Sequence, residues 1–217
     1  MPKLVKRALL LLVAAAMLPA SLYGCAGGTE SSQSPTASAQ SGELPNGNSV
    51  TVGIAQDLSN LDPQRNATAG IREVLFNIFE GLVKASPDGS VTEAVASDYE
   101  ISEDGKTYTF TLREGVTFHN GEPVTAGDVV YSLERCAGSE NDGTPLVSAF
   151  SIVEGVAAPD ERHVVVTLSE PNLEFIYSMT AAIIPQGSGP DITDTMVGTG
   201  PIPFVSDAPP ASQVLLR

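Results

Sequence analysis

The chain has 217 residues, which suits one ordinary domain with tails. Its 26 acidic residues outnumber its 11 Lys and Arg, for a formal charge of -15, and a chain this acidic repels nucleic acid and anionic membrane surfaces. Trp is absent, while 20 Gly and 16 Pro favour many turns over a helical bundle.

The N-terminus has three consecutive parts. Lys3, Lys6 and Arg7 form a basic patch, and "ALLLLVAAAMLPASL" follows as an apolar run too short for a comfortable membrane span. "LYGC" (Leu22 to Cys25) closes it, and a small residue directly before Cys resembles the bacterial lipobox. That resemblance implies cleavage before Cys25 and diacylglyceryl attachment to its sulfur; the alternative is an ordinary secretory signal with a chance cysteine. Each buried lipid CH₂ contributes roughly 0.8 kcal/mol, so several acyl chains hold a protein at the membrane. Residues 1–24 therefore read as a signal segment, and 25–49 as a lipidated Cys with a Ser/Thr/Gly/Pro tether too poor in large apolar residues to build a core.

The folded part is expected over 50–217. Val50, Val52 and Ile54 alternate as a strand, and Asp62-Pro63 marks a turn. In "AGIREVLFNIFEGLV", Ile71, Val74, Leu75, Ile78 and Phe79 fall on one helical stripe, with Thr68 as N-cap and Gly81 at C′. "SPDGS" and "SEDGK" carry the Asp-Gly signature of tight turns. "DYEIS" and "TYTFTL" read as strands, the latter burying Tyr108, Phe110 and Leu112 on one face. Thr125 and Asp128 form a variant capping box ahead of a helix carrying Val129, Leu133 and Cys136 on one face. That position makes Cys136 a buried structural thiol in preference to a nucleophile. "SIVEGVAAPDERHVVVTL" reads as a hairpin, "NLEFIYSM" as a short helix capped by Asn172, and "AAIIPQ", "GPIPFVS" and "SQVLLR" as short extended pieces.

The segment Arg113 to Arg135 packs His119, Asn120, Glu122 and Asp128 together, the inventory of a catalytic or metal centre. Neither His119 nor His163 sits in a metal-ligand spacing, and no nucleophile motif is present. "VGTGP" (Val197 to Pro201) lacks a following helix pattern, so it reads as a tight turn entering a strand, not a phosphate loop.

Four blocks taken together resemble a known family: "LDP" (Leu61 to Pro63), "FEGLV" (Phe79 to Val83), "SEDGKTYTFTLREGVTFHNGEPVTAGDVVYSLER", and "VGTGPIPF" (Val197 to Phe204). In order and spacing they are similar to the N-terminal region of family 5 extracellular solute-binding proteins of ABC importers, which carry oligopeptides, dipeptides and nickel complexes. The resemblance implies an α/β fold class: a partial periplasmic-binding-protein-like (type II) lobe with a mixed sheet and hairpins, the second lobe missing. It implies that His119 is a hydrogen-bonded scaffold residue, and that Asn120-Gly121 forms a turn. Two departures from the family pattern stand out: Ile202 and Pro203 follow "GTGP" where an aromatic is usual, and the chain stops at Arg217. If the strands and helices lack a return segment, an exposed apolar patch is expected.

The resemblance also places Asn66, Thr68, Ala69 and Ile71, with Thr180 and Ala181, along a ligand cleft. Arg65 and Arg72 stand near them, as solvated surface residues or as partners for a carboxylate. The implied function is a substrate-binding lipoprotein, lipid-anchored on the extracytoplasmic face of the membrane. It would take a peptide or small solute and pass it to ABC permease subunits, with no catalytic residues, metal, cofactor or nucleic acid. The alternatives are a truncated, non-functional remnant and a surface-anchored hydrolase.

Overall fold

The computed structural model describes residues 60–65, 69–205 and 215–216. The expected signal segment and tether, Cys25, the strand on Val50, Val52 and Ile54, Asn66 and the Thr68 cap lie outside the described residues.

The centre of the molecule is a four-stranded sheet in the order β3-β4-β6-β5. Its strands are β3 (Ala96–Ile101), β4 (Thr107–Leu112), β5 (Val153–Ala157) and β6 (His163–Leu168). Period-two alternation decides which face is buried. Tyr108, Phe110 and Leu112 of β4 lie beside Val164, Val166 and Leu168 of β6, all buried, with Phe110 opposite Val164 and Tyr108 opposite Val166. A slip of one residue would turn these six apolar side chains to solvent, so burial locks the register. The edge strand β3 carries Asp98 and Glu100 outward, charges that discourage further edge pairing.

The expected mixed sheet is antiparallel in every described pairing. The physical reason is the connections: β3–β4 and β5–β6 are joined by tight turns, which only antiparallel neighbours accept. Gly105 (φ 67) supplies the left-handed residue of the first of these, its N–H donating to Ser102 O at 2.8 Å. The other Asp-Gly turn joins β1 (Val83–Ala85) to β2 (Val91–Glu93), which form a separate two-stranded ribbon.

Helix α1 spans Ala69–Ile78 and helix α2 spans Ala126–Cys136. The capping box on α2 is present as the sequence predicts: Thr125 Oγ1 accepts from Asp128 N–H at 3.2 Å, and Thr125 N–H donates to Asp128 Oδ2 at 2.8 Å. The helix lays Val129, Leu133 and Cys136, all fully buried, over β5 and β6. Phe150 and Phe175 meet edge-on at 5.5 Å beneath it, and Tyr108 meets Phe175 at 5.7 Å. Each such side chain contributes roughly 1.5–3 kcal/mol by leaving water.

A second apolar cluster lies under α1. Ile71, Val74, Leu75 and Ile78 pack there with Ile184, Met196 and Ile192, the last in the single-turn helix α3 (Ile192–Thr195). Phe79 continues the stripe although α1 has ended. Gly81 therefore does not cap the helix. A Cβ on it would sit 2.3 Å from the Met179 carbonyl oxygen, so its role is to let the end of a 3-10 helix, Leu173–Thr180, pass close by. That helix is "NLEFIYSM", capped as expected by Asn172 Oδ1 accepting from Glu174 N–H at 3.0 Å.

The "VGTGP" turn runs across the end of α1. Gly200 N–H donates to Ile78 O at 2.9 Å and Ile202 N–H to Asn77 O at 3.0 Å. Ile202 thus spends its donor on the helix end, and Pro203 stands just ahead of β7 (Phe204–Val205), which pairs with β8 (Leu215–Leu216). Proline costs no ladder bond at that position.

Gly198→Ala is expected to destabilise the protein by about 1–3 kcal/mol, because the added Cβ would meet Ile78 O at 2.1 Å, a backbone atom with little room to yield. Gly155→Ala, whose Cβ meets nothing within 4 Å, should shift stability by no more than about 0.5 kcal/mol. Urea denaturation of both variants checks the contrast.

Candidate functional site

The loop Leu61–Arg65 is held in place by a buried arginine. Arg135, in the last turn of α2, is 2 % exposed and donates from Nη2 to Asp62 Oδ2 at 2.7 Å and from Nη1 to Asp62 Oδ1 at 3.2 Å. The same Nη1 lies 2.7 Å from Gln64 Oε1, and Nε lies 3.1 Å from Glu140 Oε2. Burial alone would lower the Arg135 proton affinity, but the hydrogen bonds and charges of Asp62 and Glu140 outweigh it and hold the pKa raised. Gln64 then spends its amide: Nε2 donates to Ala182 O at 2.8 Å and to Ser132 O at 3.2 Å.

A third segment is tied to the same helix. Residues 181–186, expected as an extended piece, form no strand among the described residues. Their backbone bonds go to side chains and loops instead: Ile184 N–H to Ser132 Oγ at 2.9 Å, Gln186 N–H to Asp128 Oδ1 at 2.8 Å, and Ile183 N–H to Glu80 O at 2.9 Å. Asp128 therefore caps its own helix with one oxygen and anchors this segment with the other.

A cleft of about 320 Å³ opens between the Leu61–Arg65 loop, α1 and the 3-10 helix, within the usual size range of small-molecule sites. Gln64 and Arg65 line it from the loop, Arg72 and Phe76 from α1, and Tyr177 and Thr180 from the 3-10 helix. Ala181 and residues Leu146, Val147 and Ser148 complete the wall. Phe76 (56 % exposed) and Tyr177 (51 % exposed) present aromatic surface to solvent, which is unusual for side chains of that size. A larger cavity of about 520 Å³ shares Arg65 with it and extends to Asp62, Arg135, Glu140 and Pro190. Its charges are already engaged in the Arg135 network.

Of the residues expected at a cleft, Thr180 and Ala181 line this one. Asn66 and Thr68 lie outside the described residues. Ala69 is exposed at the start of α1 and does not line the cleft, while Ile71 is buried in the core. One helical step accounts for this: a 100° rotation carries Arg72 to the cleft side when Ile71 faces inward. Arg65 and Arg72 both line the cleft, whereas Phe76, Tyr177 and Gln64 were not singled out from sequence. Phe76 stands off the apolar stripe of α1, four residues after Arg72, and that position is the signal that marks it.

His119 is built into the scaffold. Its Nε2 lies 2.8 Å from Gly200 O and its Nδ1 accepts from Gly198 N–H at 3.4 Å, so both ring nitrogens serve the "VGTGP" turn. Cys136 is enclosed, and burial pushes its thiol up to about 12, which keeps it protonated at neutral pH. Among the described residues, no helix is long and apolar enough to cross a membrane, and no three His, Cys, Asp or Glu are grouped as a metal site requires.

Asp62→Ala should destabilise the protein by about 3–5 kcal/mol, since it leaves the Arg135 guanidinium buried without its main partner. Asp62→Leu combined with Arg135→Met should cost less than Asp62→Ala alone. Equilibrium urea unfolding of the single and double variants reads both values, and a cost below about 1 kcal/mol for Asp62→Ala would show that the pair does not hold the loop.

Known proteins resemble this chain in both sequence and fold. The glutathione-binding protein GsiB of Salmonella typhi is 32% identical over 162 residues, covering 70% of this chain and 31% of the relative. The dipeptide-binding protein DppE of Bacillus subtilis is 33% identical over 150 residues, covering 58% of this chain and 28% of the relative. Among solved structures, the periplasmic binding protein AgaA of A. tumefaciens R10, in complex with agropinic acid, superposes with a TM-score of 0.68 at 30% identity, covering 76% of this chain and 34% of that one. OppA of Haemophilus influenzae, in complex with RPPGFSPFR, superposes with a TM-score of 0.61 at 26% identity, covering 69% of this chain and 34% of its own. The chain thus spans about a third of the length of these relatives, and its α/β fold corresponds to part of a periplasmic binding protein. The family model described as "Bacterial extracellular solute-binding proteins, family 5 Middle" matches residues 90–217. The chain belongs to the family 5 bacterial extracellular solute-binding proteins.

Proposed function

We propose that this chain is part of the solute-binding component of an ABC importer for peptides or nickel-chelate-type solutes. The solute is held in the cleft between the Leu61–Arg65 loop, α1 and the 3-10 helix, and is passed to a separate permease. Binding proceeds by closure around the solute, with no bond made or broken in it. The observation that carries the reading is the cleft itself: an open site of about 320 Å³, lined by two guanidinium groups and two exposed aromatic rings, on a scaffold of the family's fold. Relatives named for glutathione, dipeptides and oligopeptides support peptide-like solutes as the first class to test. In this reading Asn66 and Thr68 contact the solute together with Thr180 and Ala181.

Residues 1–24 act in this reading as a lipoprotein signal, Cys25 carries the lipid, residues 25–49 are the tether, and 50–217 form the N-terminal lobe. The protein then works on the extracytoplasmic face of the membrane. Changing Cys25 to Ser should move the expressed protein from the membrane fraction to the soluble extracytoplasmic fraction; retention of the variant in the membrane would overturn the anchor.

Thermal melting against glutathione, dipeptides, longer peptides and nickel–histidine tests the binding reading. A true solute at 100 times its Kd should add about 2.7 kcal/mol to stability. A cooperative transition that none of these solutes moves would contradict it.

A further inference from the structure

We propose that Tyr131 and Glu140 are positioning residues for the cleft: acting through Arg135, they hold its Leu61–Arg65 wall against the connection that carries Leu146, Val147 and Ser148. The purpose of this device rests on the solute-binding reading above. Its test uses no solute, so its failure is distinct from a failure of that reading.

A guanidinium offers five N–H donors in one plane, and all five of Arg135 are taken. Asp62 and Gln64 hold the Nη side of that plane from the loop. The Nε edge meets Glu140 alone among the described residues. A planar fork fixed on one side still swings about its stem, and a carboxylate at Nε stops the swing. The setting of Arg135 then passes outward. Asp62 Oδ1 accepts from Gln64 N–H at 3.0 Å and Oδ2 from Arg65 Nε at 3.1 Å, and Gln64 and Arg65 both line the cleft.

Glu140 is itself held. Tyr131, one helical turn before Arg135 on α2, donates its hydroxyl to Glu140 Oε1 at 2.7 Å and accepts from Gly189 N–H at 2.9 Å. Burial pushes the Tyr131 hydroxyl up, and its bond to Glu140 adds to the shift, so it stays a donor at neutral pH. The backbone closes directly on this junction. A Cβ on Gly189 would sit 2.5 Å from Arg135 Nε and 2.6 Å from both Glu140 Oε2 and the Tyr131 oxygen.

Placement joins the two walls. Glu140 lies in the connection after α2, and the same connection runs on to Leu146, Val147 and Ser148 at the cleft. Leu146 N–H and Val147 N–H both donate to Cys136 O, at 2.9 and 3.3 Å, beside Arg135 in the last turn of α2. Neither Tyr131 nor Glu140 lines the cleft. Supporting hydrogen bonds of this kind hold a binding site to its working geometry.

Hydrogen exchange of the solute-free protein, resolved by NMR, tests this with the amides of β4 and β6 as internal reference. In Glu140→Ala, the amides of Gln64 and Arg65 should exchange at least about ten-fold faster relative to that reference, the scale of one charge-assisted hydrogen bond. The Arg135 Nε–H signal should be lost to solvent exchange in the same variant. Glu140→Gln keeps an acceptor for Nε and should recover part of both effects. Tyr131→Phe should speed Gly189 N–H strongly and the loop amides in part. Should Glu140→Ala fail to fold, Glu140→Gln and Tyr131→Phe decide by the same comparison. Loop amides that speed up no more than those of β4 and β6 would show a general loss of stability and overturn the proposal. Loop amides that keep their native rates would overturn it as well.

Discussion

The ion pair between Arg135 and Asp62 is the constraint on which the functional half of the molecule depends. A buried guanidinium must meet a carboxylate and fill its remaining donors, or it costs several kcal/mol. Here Asp62 takes two donors, Gln64 and Glu140 accept from two further edges, and the Gly189 carbonyl oxygen lies 3.3 Å from Nη2. The partners come from the loop before α1, from the turn after α2 and from the segment ahead of α3. One side chain thus draws two distant stretches of chain, and the turn that follows its own helix, to the end of α2.

Such a pair contributes position more than net stability, since well-packed apolar residues of similar volume often do as well energetically. What it defines is the path of the loop, and with it the cleft. The sheet supplies the stability. Its alternating apolar face, the three inward residues of α2 and the aromatic contacts around Phe175 form one continuous core. The cleft stands at the margin of this core, where α1 lies over its own smaller cluster and the 3-10 helix ends against Gly81. A rigid floor beneath adaptable side chains is the arrangement expected of a binding site.

Local structure was legible in the sequence wherever a short-range rule governs it. The strands β3, β4, β5 and β6 follow from alternation, their turns from Asp-Gly and Pro-Asp, and α2 from its capping box. The cleft was only half legible. Thr180, Ala181, Arg65 and Arg72 were marked from sequence and line it, but the pair that places them joins residues 73 positions apart, and Gln64 reaches Ala182 across 118. No periodicity carries such contacts. Gly81 shows the same limit: it follows a helical stripe as a C′ glycine would, but the chain that forbids a side chain there arrives from Met179. Asp128 was legible as a cap and not as the anchor for Gln186, because only one of its two oxygens answers to a local rule.

Hydrogen–deuterium exchange of the purified protein, with and without a saturating solute, tests the central claim most directly. If the solute sits between the loop, α1 and the 3-10 helix, new protection will appear in residues 69–76 and 177–182, with β4 and β6 unchanged. Protection confined to other parts of the chain, with those two segments exchanging as before, would contradict it.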